Sequence, residues 1–205
     1  MKKRLLEICY KNKLHHLGSY FSSLDIIDDI YSKMSNDDIF ILSAGHAVAA
    51  LYVVLEKYYG IDAQMLLDKH GEHPKLDEQN KIYCSTGSLG LGILVAVGRA
   101  AANRDKNIYC LISDGEAAEG SVWEALRYAK EANLTNLKIY VNANGLCAYD
   151  SIDVDYLEKR IKAFNEDVEV VRTTVEHYPF LKGLDAHYYC MNEQDYLNSI
   201  GEQNA

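Results

Sequence analysis

Basic residues are scarce in this 205-residue chain: 21 Lys and Arg stand against 30 Asp and Glu, for a formal charge of −9. That balance argues against nucleic acid or an anionic membrane as the main partner, since both attract positive surfaces. Proline is nearly absent, at two residues, and the 13 glycines form no Gly/Ser-rich run. No linker therefore divides the chain, and residues 1–205 read as a single domain with 48% apolar residues to fill one core. Long apolar runs are missing as well. None approaches the roughly 18 residues that span a bilayer. The LLEIC at 5–9, behind the basic Met1–Arg4, is too short and too polar for a signal-peptide core. Also absent is any CxxC pair: the five cysteines (Cys9, Cys84, Cys110, Cys147, Cys190) are odd in number and widely spaced, which fits reduced thiols in a cytoplasmic protein. Cys110, inside an apolar strand pattern, reads as a core residue. The 16 tyrosines are scattered and suggest packing in a core or an interface.

What is present is an alternation of strand and helix patterns. Strands are expected at 39–42, 107–112, 137–142 and 168–173, the first a short continuous apolar run suited to a strand buried on both faces. Helices are expected at 23–34, capped by Ser22 or Ser23, and at 46–59, 88–103, 118–133, 154–164 and 192–201. This order predicts an α/β, doubly wound, mostly parallel sheet with helices on both faces.

Two polar loops stand out. SDGEAAEG (113–120) and NGL (144–146) each follow an apolar strand pattern, with helical spacing of Val122, Ala125, Leu126 and Ala129 between them. The segment reads as a βαβ unit, whose ligand crevice lies at the carboxyl ends of its strands. Asp114 and Asn144 then bring a carboxylate and an amide oxygen to one sheet edge. Hard oxygen donors of this kind suit Mg²⁺ or Ca²⁺ carrying a diphosphate. An isolated Asp-Gly or Asn-Gly would be only a turn; the pairing gives the weight.

The segment SDGEAAEGSVWEALRYAKEANLTNLKIYVNANGL resembles the thiamine diphosphate motif of transketolases. HHLGSYFSSLDI, FILSAGHAVAALY, GEHP and CSTGSLGLG are similar to that family's N-terminal module and occur in family order. The resemblance covers most of residues 12–190. It implies thiamine diphosphate as cofactor, with the metal held by Asp114, the Asn144 side chain and the Leu146 carbonyl. Gly115, Glu116, His46 and the Gly87-Ser88-Leu89 loop would contact the cofactor. His16, His73 and His187 would serve the reacting sugar, with His187 also reaching the diphosphate, and Glu119 would communicate with the partner's catalytic glutamate. His15, His70 and His177 match no family position and are expected at the surface.

The resemblance also marks what is lacking. After the helix at 154–164 one βα unit of the family is missing, a C-terminal contraction, and the pyrimidine-binding and C-terminal modules are missing too. The implied protein is the diphosphate-side subunit of a split transketolase, moving a two-carbon ketol unit from a ketose to an aldose. It would be active only with a separate pyrimidine-binding subunit, as a heterotetramer built on a homodimer, on sugar or sugar-phosphate substrates. Ser113, Ala44, Leu91 and Ala148-Tyr149-Asp150 depart from the family pattern, and all of these but Ser113 surround the substrate side. Two other readings stay open: one component of a 2-oxo acid dehydrogenase or decarboxylase, and a non-catalytic scaffold of the same fold.

Overall fold

A computed structural model describes residues 1–202 of the chain. Four parallel strands, β1 (Ile39–Leu42), β2 (Ile108–Ser113), β3 (Leu137–Ala143) and β4 (Glu169–Arg172), pair in the order β1-β2-β3-β4. Among the described residues eight helices surround them: α1 (Lys2–Asn12), α2 (Leu17–Lys33), α3 (Val48–Tyr59), α4 (Ala63–His70), α5 (Gly92–Ala102), α6 (Gly120–Glu131), α7 (Val154–Phe164) and α8 (Glu193–Glu202).

Strand side chains alternate between two cores, as the period of two requires. Ile41, Ile108, Cys110, Ile112, Ile139 and Val141 join α5, α6 and α7 on one face. Phe40, Leu42, Tyr109, Leu111 and Tyr140 join α1 to α4 on the other. The strand order advances in one direction, so the crossover helices α5, α6 and α7 fall on a single face, as crossovers of one hand must. The second face is covered by the N-terminal helices and by the chain that follows β4.

Several boundaries differ from the sequence expectation. The second helix starts at Leu17 rather than 23, so Ser22 and Ser23 lie inside it, buried, and do not cap it. Their hydroxyls instead accept hydrogen bonds from Asn142 Nδ2, at 2.9 and 3.0 Å. Helices α1 and α4 lie outside that expectation. α1 buries Leu5, Leu6, Ile8 and Cys9, and α4 starts where Asp62 accepts the amide of Met65. His70 is buried and bonds Asp77 at 3.1 Å, and His177 is half-buried, so neither is a surface residue; His15 is exposed. After β4 no further βα unit follows among the described residues. Residues 173–191 run instead as an irregular segment across the start of α2.

Candidate active site

Both polar loops open at the same sheet edge. Asp114 directly follows β2, and Asn144 directly follows β3. The Asp114 carboxylate, 1% exposed, joins them: Oδ1 accepts the Gly115 amide at 3.0 Å and Oδ2 the Gly145 amide at 2.7 Å. Burial raises its pKa to about 6, although the backbone amides of Gly145 and Gly115 pull the other way. Each carboxylate oxygen keeps a free lone pair. Asn144 Oδ1 accepts the Leu146 amide at 3.0 Å and likewise has one to spare.

The third and fourth walls come from other loops. Gly45 and Gly87 touch so closely that a Cβ on Gly45 would lie 2.6 Å from the Gly87 nitrogen. Gly87 itself has φ +146, and a Cβ there would meet the His73 ring at 2.9 Å. Small residues are thus what bring the loop after β1, the GEHP loop and the TGSLG loop to one point. Glu116 fastens that junction from beneath: its buried carboxylate accepts from Ser43 Oγ (2.7 Å), Gly90 N (2.9 Å) and Ser113 N (3.0 Å).

Four imidazoles meet inside. The His16 ring centroid lies 4.3 Å from that of His187, 5.8 Å from His46 and 6.4 Å from His73. His16 has a left-handed backbone (φ 61), and its amide donates to the His187 carbonyl at 2.9 Å. Burial, followed by repulsion from the neighbouring rings, lowers the pKa of His46 to about 3 and of His16 to about 4. Burial lowers that of His187 as well. His46 and His16 are therefore neutral at physiological pH, each with one nitrogen to donate and one to accept. His16 Nδ1 is buried with no hydrogen-bond partner among the described residues, which leaves it available to a ligand.

These residues surround a cavity of about 250 Å³. Its lining includes His16, His46, His73, His187, Gly87, Leu89, Asp114, Gly115, Glu119, Asn144 and Leu146, so eleven of the thirteen residues expected at the site are brought together. Glu119 is exposed, at the N-terminus of α6. The two exceptions are Ser88, exposed outside the lining, and Glu116, whose side chain is occupied by the three donors above rather than by the cavity. Sequence reasoning missed Gly18, Val175, Gly183, Leu184 and Cys147, which also line it. Val175, Gly183 and Leu184 have no local signal, because they reach the site only when the segment after β4 folds back over α2, whereas Gly18 lies in the HHLG motif beside His16. Among the described residues no Lys or Arg lines the cavity, and no group of three or more His, Cys, Asp or Glu converges as a metal site.

The family described as the transketolase thiamine diphosphate-binding domain matches residues 19–177. The chain is 34% identical to an apulose-4-phosphate transketolase subunit of Phocaeicola vulgatus, over 82% of this chain and 68% of that subunit. With human transketolase it shares 37% identity over 63% of this chain but only 23% of that enzyme. Among solved structures, transketolase from Pichia stipitis in complex with sedoheptulose-7-phosphate superposes with a TM-score of 0.69 at 18% identity, covering 97% of this chain and 40% of that one. Transketolase from Leishmania mexicana gives a TM-score of 0.69 at 17% identity, covering 98% and 41%. With a family match over most of its length and a site cavity built from that family's motifs, the chain belongs to the transketolase family, in its thiamine diphosphate-binding domain.

Proposed function

We propose that this chain is the diphosphate-side subunit of a two-component transketolase. The observation that carries the reading is the Asp114 carboxylate, buried, joining both loops at a cavity that holds all four family histidines. The donor set fits a hard divalent cation, Mg²⁺ or Ca²⁺, held by Asp114, the Asn144 side-chain oxygen and the Leu146 carbonyl. A cation supplies what the cavity lining lacks: it offsets the charge of a diphosphate where no Lys or Arg is at hand and keeps a buried carboxylate ionised. When bound, thiamine diphosphate supplies the nucleophilic carbon and electron sink for moving a two-carbon unit between sugars. The chain's own residues position it. His46 and His187 face the diphosphate. Neutral His16, with its unpartnered Nδ1, and His73 meet the hydroxyls and carbonyl of the sugar, where imidazole passes protons in either direction.

At about 250 Å³ the cavity is smaller than usual ligand pockets of roughly 300–1,000 Å³, as expected of half a cleft. The other half, with the pyrimidine grip, would come from a separate polypeptide, in keeping with the naming of the Phocaeicola relative as one subunit of its enzyme. A sugar phosphate of the kind in that name is the expected substrate class, its phosphate held by the partner because the described lining of this cavity offers no Lys or Arg. Leu91, which precedes α5, and Leu94 and Val95 on it are 51%, 39% and 39% exposed at spacings of three and four residues, continuing from Leu89 at the cavity rim. An apolar stripe of this kind supports an interface with another polypeptide, within an assembly we propose to be a heterotetramer built on a homodimer. The five free cysteines support a reducing, cytoplasmic setting. Relatives named as transketolases favour this reading over one component of a 2-oxo acid dehydrogenase or decarboxylase.

Mixing tests it. Ketol transfer should appear when the chain is combined with its pyrimidine-side subunit, thiamine diphosphate and Mg²⁺, and neither polypeptide alone should show it. Full activity of this chain by itself contradicts the proposal, as does an inactive mixture whose subunits have been shown to associate.

A further inference from the structure

The turn after Asn144 is a small antiparallel hairpin. Ile152 N donates to Gly145 O at 2.8 Å, Leu146 bridges to Ser151, and Cys147 N closes the tip on Asp150 O at 2.9 Å. Its base is fixed to the sheet edge through the Gly145 amide and Asp114. Its tip has a separate anchor: the Tyr188 hydroxyl donates to the Ala148 carbonyl at 3.0 Å.

Tyr188 is itself held from three directions. Its carbonyl accepts from His15 Nδ1 at 2.9 Å, its amide donates to Asp185 O at 3.0 Å, and its ring stands edge-on to His187 with centroids 4.7 Å apart. The backbone at 183–188 is seated on α2 because residue 18 is glycine; a Cβ there would lie 2.9 Å from Val175 Cβ and 3.1 Å from Ala186 Cβ. Ala148 and Tyr149 from the hairpin, with Gly183 and Leu184 from the tail, line the cavity beside the histidines. Tyr188 thus joins the two segments that form one side of the cavity.

We infer that Tyr188 is a positioning residue for the sugar side of the site: its hydroxyl fastens the hairpin tip against the histidine cluster and sets how closely a sugar is held there. The inference rests on the ketol-transfer reading above. The diphosphate end depends on the hairpin base, which Asp114 anchors on its own, so the two ends of the hairpin separate experimentally.

Tyr188→Phe keeps the ring against His187 and removes only the donor. In hydrogen–deuterium exchange on the full chain, amides of residues 146–151 should exchange about 2- to 10-fold faster, the loss expected of one neutral hydrogen bond, with β2 and β3 unchanged. Unchanged exchange at the hairpin overturns the fastening. In the complex with the pyrimidine-side subunit, kcat/KM for the ketose should fall by a similar factor, mainly through KM, with cofactor saturation unaltered. A loss that follows cofactor affinity, or an unchanged kcat/KM, overturns the positioning role. If the wild-type complex transfers no ketol unit, the proposed function fails instead, and the exchange result still decides the fastening.

Discussion

At the residue scale, the cavity divides its histidines by neighbourhood. His46 is half-buried in the turn after β1, where burial lowers its pKa to about 3, whereas His73, against Gly87, is exposed on the GEHP loop. Their replacements should therefore separate. His46→Ala is expected to recover activity as thiamine diphosphate is raised. His73→Ala should saturate with cofactor normally yet turn over about 10²- to 10⁴-fold more slowly, the usual worth of a proton-transfer group. Steady-state kinetics at varied cofactor checks this; equal rescue of both variants would remove His73 from the sugar. Most of these residues were legible because each sits in a short motif at a loop. Glu116 was legible only as part of SDGE. Its partners Ser43 and Gly90 lie 73 and 26 residues away, so nothing local says that the side chain clamps three loops from beneath instead of lining the cavity.

At the scale of elements, β1, β2 and β3 followed the apolar runs closely, since a strand buried on both faces leaves a continuous hydrophobic signature. Helix starts were harder to read. α2 begins at Leu17 because the His16 amide pairs with His187, a contact made 171 residues away. α4, by contrast, carries a local sign in Asp62, whose side chain caps it. α5 is the element whose exposed stripe bears on assembly. Leu94→Glu places a carboxylate in the middle of that stripe at a site 39% exposed, so the fold should survive. Association with the partner or with a second copy should weaken at least 10-fold, the scale of losing one interface anchor. Sedimentation velocity reads this directly. Unchanged association would move the interface off α5.

At the scale of the whole molecule, parallel order and two alternating cores bring the ends of β1, β2 and β3 together, and the segment after β4 folds back to complete the cavity. The alternation of strands and helices made the sheet and its two covering layers legible. The return of the tail was not, because it rests on the close fit at Gly18 and on single hydrogen bonds from His15, His16 and Tyr188. The central claim is that this edge holds a divalent cation and the diphosphate of thiamine diphosphate through Asp114. Calorimetric titration of thiamine diphosphate into the complex of this chain and its pyrimidine-side subunit tests it most directly, with Mg²⁺ present, with chelator, and with Asp114→Ala. Loss of groups that merely orient a metal ligand costs about 10–100-fold in affinity. Removal of the ligand is therefore expected to weaken cofactor binding beyond about 100-fold, and chelation to abolish it, while circular dichroism of the variant matches that of the wild type. Wild-type affinity in Asp114→Ala, or tight binding that ignores the chelator, would contradict the account.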